Sequence, residues 1–177
     1  MSDRRMTCPT ACSLLLITLA SCAAPTPHDA LPPDSIPARW LRAVQQQDWS
    51  AMGDMLAERA IYADTTKRDF DTEPYYVTGR QAIVELRQRA AAGTATDQVQ
   101  FTLLDHYETG GVTVLHLNLD VEDSGESWGI QQETITLSCR VMTVLTVDDG
   151  KIVHVHDHAD WAGAMEQVER MKSAKGG

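Results

Sequence analysis

Cysteine is scarce where a folded domain would use it, since Cys8, Cys12 and Cys22 all stand near the N-terminus. Cys139 is therefore the only thiol left in the rest of the chain, and no disulfide can form within that part. The residues around Cys139 are apolar and β-branched, a context typical of a small buried side chain. No internal repeat is visible either, which favours a single globular unit over a repeat array.

Positive charge is also in short supply. The chain of 177 residues has 15 Lys and Arg against 25 Asp and Glu, for a net charge of −10. An acidic surface without a long basic run repels phosphate and argues against nucleic acid as a partner. The hydrophobic content of 43% and charged content of 23% fit a soluble domain with a real core.

A long apolar run is missing even at the N-terminus, where Leu14–Ala20 is too short to span a bilayer. Arg4 and Arg5 precede this run and small residues follow it, the layout of a signal peptide. The segment ends in Leu19-Ala20-Ser21-Cys22, which resembles a bacterial lipobox, with cleavage just before a lipidated Cys22. The alternative is a plain secretory signal in which this cysteine is accidental.

These features divide the chain into four segments. We expect a signal peptide at 1–21, a flexible tether rich in Pro and Ala at 22–37, a domain at 38–172 and a tail at 173–177. The predicted location is the cell envelope, with membrane contact through the lipid anchor. Ala23 stands where an Asp often signals inner-membrane retention, so an outer-membrane or periplasmic-face location is expected in a Gram-negative cell.

The apolar spacing changes along the domain from helical to alternating. Its first half predicts helices with a short strand at 60–64, and its second half predicts strands separated by turn signals. Asp149-Gly150 is a strong hairpin signal, because both residues tolerate the positive φ of a type I′ turn. The predicted helices are 38–47, 49–56, 79–93 and 161–172, and the predicted later strands are 99–108, 112–121, 130–147 and 151–159. This order indicates an α+β fold, with helices on one face of a curved antiparallel sheet.

Three short motifs occur in a recognisable order: Tyr62-Ala63-Asp64, the helix start Gly79–Ile83, and Asp149–Ile152 leading to Asp160. Together they resemble the SnoaL-like branch of the NTF2-like superfamily. The resemblance implies a cone-shaped α+β barrel with a deep pocket, often forming a homodimer through the outer sheet face. Members include polyketide cyclases, ketosteroid isomerases and epoxide hydrolases, so the fold alone does not decide the function.

The resemblance also implies a site at the end of the last strand. By this resemblance, Asp160 corresponds to the family's catalytic Asp, and His158 stands where the family has an aromatic residue. A histidine beside a carboxylate is a workable acid–base pair near neutral pH. Asp64 on the first strand is the third candidate catalytic residue.

His154, His156 and His158 alternate along the last strand, and the alternation allows two other interpretations. Alternate residues point the same way, so two of these histidines can bind a metal ion with a third ligand from a neighbouring strand. Alternatively, Val153 and Val155 face the core, which leaves His154 and His156 to water or a partner copy.

From these features we predict that the domain binds a small, largely apolar ligand in an internal pocket, without established catalysis. The alternatives are a cyclase, isomerase or hydrolase with an Asp/His acid–base pair, and a metal-binding His cluster. No cofactor or metal is expected in the favoured interpretation. Arg140 is a candidate for binding an anionic group. The predicted ligand contacts are Trp40, Tyr62, Phe70, Tyr76, Arg140 and His156.

Overall fold

The computed structural model describes residues 31–66, 75–92 and 99–174. The elements are α1 (Ile36–Gln45), α2 (Trp49–Met55), β1 (Leu56–Asp64), β2 (Tyr75–Thr78), α3 (Arg80–Ala92), β3 (Val99–Thr109), β4 (Val112–Ser124), a 3₁₀ turn (Gly125–Trp128), β5 (Thr134–Asp148), β6 (Lys151–Ala159) and α4 (Trp161–Ser173). This mixture confirms the predicted α+β class. In the described ranges, no helix combines the length and apolar character needed to cross a membrane.

The strands form one curved, unclosed sheet in the order β2-β1-β6-β5-β4-β3. Strands β1 and β6 run parallel, whereas every other neighbouring pair is antiparallel. The β5–β6 connection is the predicted tight hairpin, with φ angles of 49° at Asp149 and 70° at Gly150. Strand β2 is not among the strands that the sequence pattern predicts.

Strand β6 directs alternate side chains to opposite faces of the sheet. Val155, Asp157 and Ala159 are buried on the inner face, and the residues between them point outward. The pairing of β6 with β5 shifts by one residue near Val153, a bulge that lets Ile152 and Val155 both face inward. The alternation past this bulge therefore decides which side chains of β6 reach the interior.

Helices α1 and α3 cover the concave inner face. Helix α1 buries Trp40 and Ala43, and α3 buries Ile83 and Leu86. Helix α1 begins at Ile36, and Leu31 is buried in the core, so ordered structure starts inside the segment predicted as a tether.

Aspartate side chains cap the N-termini of two helices. Asp48 accepts a hydrogen bond from the backbone N–H of Ala51 at 3.0 Å, so it caps α2. Asp160 does the same for α4, accepting from the N–H of Gly163 at 3.0 Å.

Helix α4 provides hydrogen bonds to the part of β5 that has no neighbouring strand on one edge. Strand β6 ends at Ala159, opposite Val141, so the earlier part of β5 has no strand beside it on that edge. The side-chain amide of Gln167 donates to the carbonyl of Ser138 at 2.6 Å and accepts from its N–H at 3.2 Å. These two bonds satisfy backbone groups that would otherwise lack partners.

Candidate functional site

A cavity of about 520 Å³ lies between the concave face of the sheet and the helices. Its walls are mostly apolar, and three aromatic rings, those of Trp40, Phe101 and Trp161, contribute to them. The polar lining residues are Tyr62, Asp64, Arg87, Arg89, Thr143 and Asp157. The volume lies in the range of small-molecule sites, roughly 300–1,000 Å³.

Asp157 is the centre of a polar cluster in this cavity. Its Oδ2 accepts from Arg87 Nη2 at 2.6 Å and from the Tyr62 hydroxyl at 3.2 Å. Its Oδ1 accepts from the Thr143 hydroxyl at 2.7 Å. Arg87 also lies over the Tyr62 ring, with its guanidinium carbon 4.5 Å from the ring centroid. The four side chains, contributed by three strands and α3, hold one another in fixed positions.

Burial and charge decide the protonation states in the cluster. Burial raises the pKa of Tyr62 above its ordinary value, and Asp157 and Asp64 add to the rise while Arg87 opposes it. Burial by itself lowers the pKa of Arg87, but interactions with Tyr62 and Asp157 outweigh it and raise the pKa overall. Tyr62 is therefore a neutral phenol and Arg87 a cation at neutral pH.

A second buried carboxylate stands beside the first. Asp64 on β1 is the register partner of Asp157 on β6, and both side chains line the cavity. Asp64 Oδ1 accepts from the backbone N–H of Thr66 at 3.1 Å and from its hydroxyl at 2.7 Å. The Thr66 hydroxyl in turn accepts from the N–H of Ala159 at 2.9 Å, which ties the end of β1 to the end of β6.

Comparison with protein families identifies this architecture. The family model described as a SnoaL-like domain matches residues 38–155. The chain belongs to the SnoaL-like family. Among curated proteins, none matches the sequence.

Solved structures with the same fold are distant in sequence. A proposed SnoaL-like polyketide cyclase from Shewanella denitrificans superposes with a TM-score of 0.64 at 18% identity, covering 76% of this chain and 94% of that one. A ketosteroid isomerase-like protein from Catenulispora acidiphila, in complex with trimethylamine, gives 0.63 at 18% identity, over 78% and 95%. An epoxide hydrolase from M. tuberculosis gives 0.54 at 16% identity, over 77% and 88%. At these identities the likeness shows the fold alone.

The SnoaL-like domain does not bring the three predicted catalytic residues together. Asp64 lies in the cavity. His158 points to the outer face of β6, and Asp160 is exposed at the N-terminus of α4. The prediction that His158 and Asp160 form an acid–base pair in the site is therefore corrected. The reason is strand parity, because the alternation that buries Val155 also buries Asp157 and turns the histidines outward.

Some of the predicted ligand contacts line the cavity and others do not. Trp40 and Tyr62 line the cavity. Tyr76 is exposed, Arg140 is exposed on β5, and His156 lies on the outer face of β6, so these three are not in contact with the cavity. Phe70 and the predicted lipidation site Cys22 lie outside the described residues.

His156 and His158 lie side by side on the outer face of the sheet. The rings of His156 and His158 are 4.2 Å apart between centroids. In the ranges that the structure describes, no three His, Cys, Asp or Glu side chains are grouped to hold a metal ion. Homodimer formation through this face stays a prediction.

Cys139 is buried and its thiol is not activated. Burial raises the pKa of Cys139 to about 11, and the nearby Asp160 adds to the rise. The thiol is thus protonated at neutral pH, as expected for a small buried hydrophobic side chain.

Two of the cavity residues that were not predicted had a signal in the sequence. Asp157 shares the alternation of Val155 and Ala159. Arg87 occupies the apolar stripe of α3, four residues after Ile83 and three before Ala90. A charged residue at a core-facing position indicates a buried partner, and here each is the other's partner.

Proposed function

We propose that this SnoaL-like domain binds a small, largely apolar molecule in the cavity, with an oxygen of that molecule at Arg87. The observation that carries the proposal is the contrast within the lining. Apolar walls surround a cluster of buried polar groups, an arrangement that orients a ligand by a few contacts.

Arg87 supports the proposal by its unused donors. A guanidinium has five N–H groups, and the recorded contact to Asp157 uses Nη2. The Nε atom of Arg87 is buried and has no hydrogen-bond partner. Tyr62, Thr143 and Asp157 hold the side chain in place, so a ligand oxygen meets donors whose positions are already fixed.

The cavity's role in binding is tested with the neutral apolar fluorophore N-phenyl-1-naphthylamine. We expect a saturable rise in fluorescence with the wild-type chain, since the probe becomes brighter in apolar surroundings. Ala90→Trp places a large ring at the cavity lining and should weaken binding about tenfold or more, because the volume is lost. Fluorescence titration measures both.

Ala92→Trp is the matched control. Ala92 is exposed on the same helix and does not line the cavity, so the same change there should leave the titration unaltered. Both substitutions are at exposed positions, and thermal unfolding checks that each variant folds. Equal titrations for the two variants would contradict binding in this cavity.

A second candidate function, acid–base catalysis, is favoured by the pair of buried carboxylates. Asp64 and Asp157 are neighbours across β1 and β6 in a cavity that also holds a phenol and a guanidinium. Such a set suits proton transfer next to a carbonyl, or addition of water to a strained ring. A proposed cyclase and an epoxide hydrolase share this fold, so the fold is compatible with such chemistry.

Catalysis is tested by incubating the chain with small cyclic ketones and epoxides and detecting products by mass spectrometry. If it turns over any of them, Asp157→Asn and Asp64→Asn should each lower the rate by about 100-fold or more, the usual contribution of a general acid or base. Asp148→Asn, at an exposed position on β5, is the control. Turnover that survives both cavity substitutions would sink the catalytic candidate.

We also propose that the chain is an envelope lipoprotein anchored through Cys22. The support is the N-terminal sequence itself: two arginines, a short apolar run, and Leu19-Ala20-Ser21 directly before the cysteine. A domain held at the membrane surface in this way would meet apolar molecules that partition into the lipid.

A further inference from the structure

Two arginines of α3 line the cavity, and they differ in burial and in ion pairing. Arg87 is mostly buried, with 19% of its side chain exposed, and forms an ion pair with Asp157. Arg89 is exposed and lines the same cavity. Across residues 31–66, 75–92 and 99–174, Arg89 makes no recorded ion pair or hydrogen bond. The cavity thus has one cation that is paired with a carboxylate and one cation with no described partner.

The negative charges of the cavity are held by the protein's own donors. Asp157 accepts from Arg87, Tyr62 and Thr143, and Asp64 accepts from Thr66. Arg89 is therefore the charged lining residue for which the described residues provide no hydrogen-bond or ion-pair partner. The chain has a net charge of −10, so the positive charge of Arg89 is opposite in sign to the charge of the protein as a whole.

Helix geometry explains part of this placement. Arg89 is in the last turn of α3, where a cation interacts favourably with the helix dipole. Any face of that turn would serve the dipole, however, including the face at Gln88, which is exposed and does not line the cavity. The helix dipole therefore does not explain why Arg89 lies at the cavity lining, whereas binding of a ligand in the cavity does.

We infer that the ligand is an apolar molecule with a carboxylate, which Arg89 binds while the apolar body lies between the walls. This inference rests on the proposed binding function and names the ligand class. A planar guanidinium matches a carboxylate through paired N–H donors. Asp157 already pairs with the charge of Arg87, so Arg89 is the residue that distinguishes an acid from the corresponding alcohol.

The inference is tested with three probes that share one apolar chain and differ in charge: octanoate, octanol and octylammonium. Calorimetry with the full-length chain at neutral pH should show octanoate binding up to about fivefold more tightly than octanol, the size expected of a partly solvated ion pair. Octylammonium should bind more weakly than octanol. The preference for octanoate should shrink as salt is added.

Arg89→Gln should abolish the preference for octanoate over octanol, because the charge that distinguishes the two probes is removed. Arg59→Gln is the matched control, since Arg59 is exposed, lies on β1 and does not line the cavity. It changes the net charge equally and should preserve the preference.

Two results overturn the inference and leave the proposed binding function standing: octanol or octylammonium binding as tightly as octanoate, or a preference that survives Arg89→Gln. Failure of all three probes to bind the wild-type chain would count against both.

Discussion

Asp157→Leu should destabilise the domain by about 3 kcal/mol, the lower part of the range for breaking a buried ion pair. The substitution leaves Arg87 as a cation without the carboxylate that pairs with it in the structure. Tyr62 and Thr143 lose the acceptor of their hydroxyl groups at the same time. Arg87→Leu should cost less, because Asp157 retains those two donors. Urea unfolding followed by circular dichroism measures both.

The double variant separates charge burial from packing. When Arg87 and Asp157 both become leucine, neither member of the pair is left as a buried unpaired charge, so the loss should be clearly smaller than that of Asp157→Leu alone. Asp148→Leu changes an exposed aspartate on β5 and should stay within about 0.5 kcal/mol of the wild type. Additive losses for Arg87 and Asp157 would show that the pair is not energetically coupled.

The order of the elements was predictable because each has a local cause. Asp149 and Gly150 adopt the positive φ angles that these two residue types tolerate, and β6 spans Lys151–Ala159 as predicted. Asp48 separates α1 from α2 because its carboxylate caps the second helix. Short-range features such as turns, caps and periodic apolar spacing are encoded within a few residues and are visible in a single sequence.

The cavity was harder to predict because its contacts join distant parts of the chain. Asp64 and Asp157 become neighbours only when β1 pairs in parallel with β6. The ion pair joins Arg87 on a helix to Asp157 on the last strand, 70 residues later. The histidines on β6 predicted a site on the face that the structure turns outward. Strand parity decides which side chains reach the interior, and the number of titratable residues does not.

Cys22→Ser should move the chain from the membrane fraction to the soluble fraction, the largest change in behaviour expected from one substitution. A lipidated cysteine contributes about 0.8 kcal/mol for each buried methylene group, whereas the serine hydroxyl cannot replace a thiol that receives the lipid. Cell fractionation followed by intact-mass measurement of the mature chain checks this. The wild-type mass should correspond to a chain that begins at Cys22 and carries acyl groups.

Cys12→Ser is the matched control for this experiment, because Cys12 lies within the predicted signal peptide and outside Leu19–Cys22. It should leave both the membrane fraction and the mature mass unchanged, since the residue is removed by cleavage. An unmodified Cys22 in a soluble wild-type chain would favour the plain secretory signal. In that case the domain would reach its ligand from solution, and the octanoate preference at Arg89 would be unaffected, because it depends on the cavity and not on the anchor.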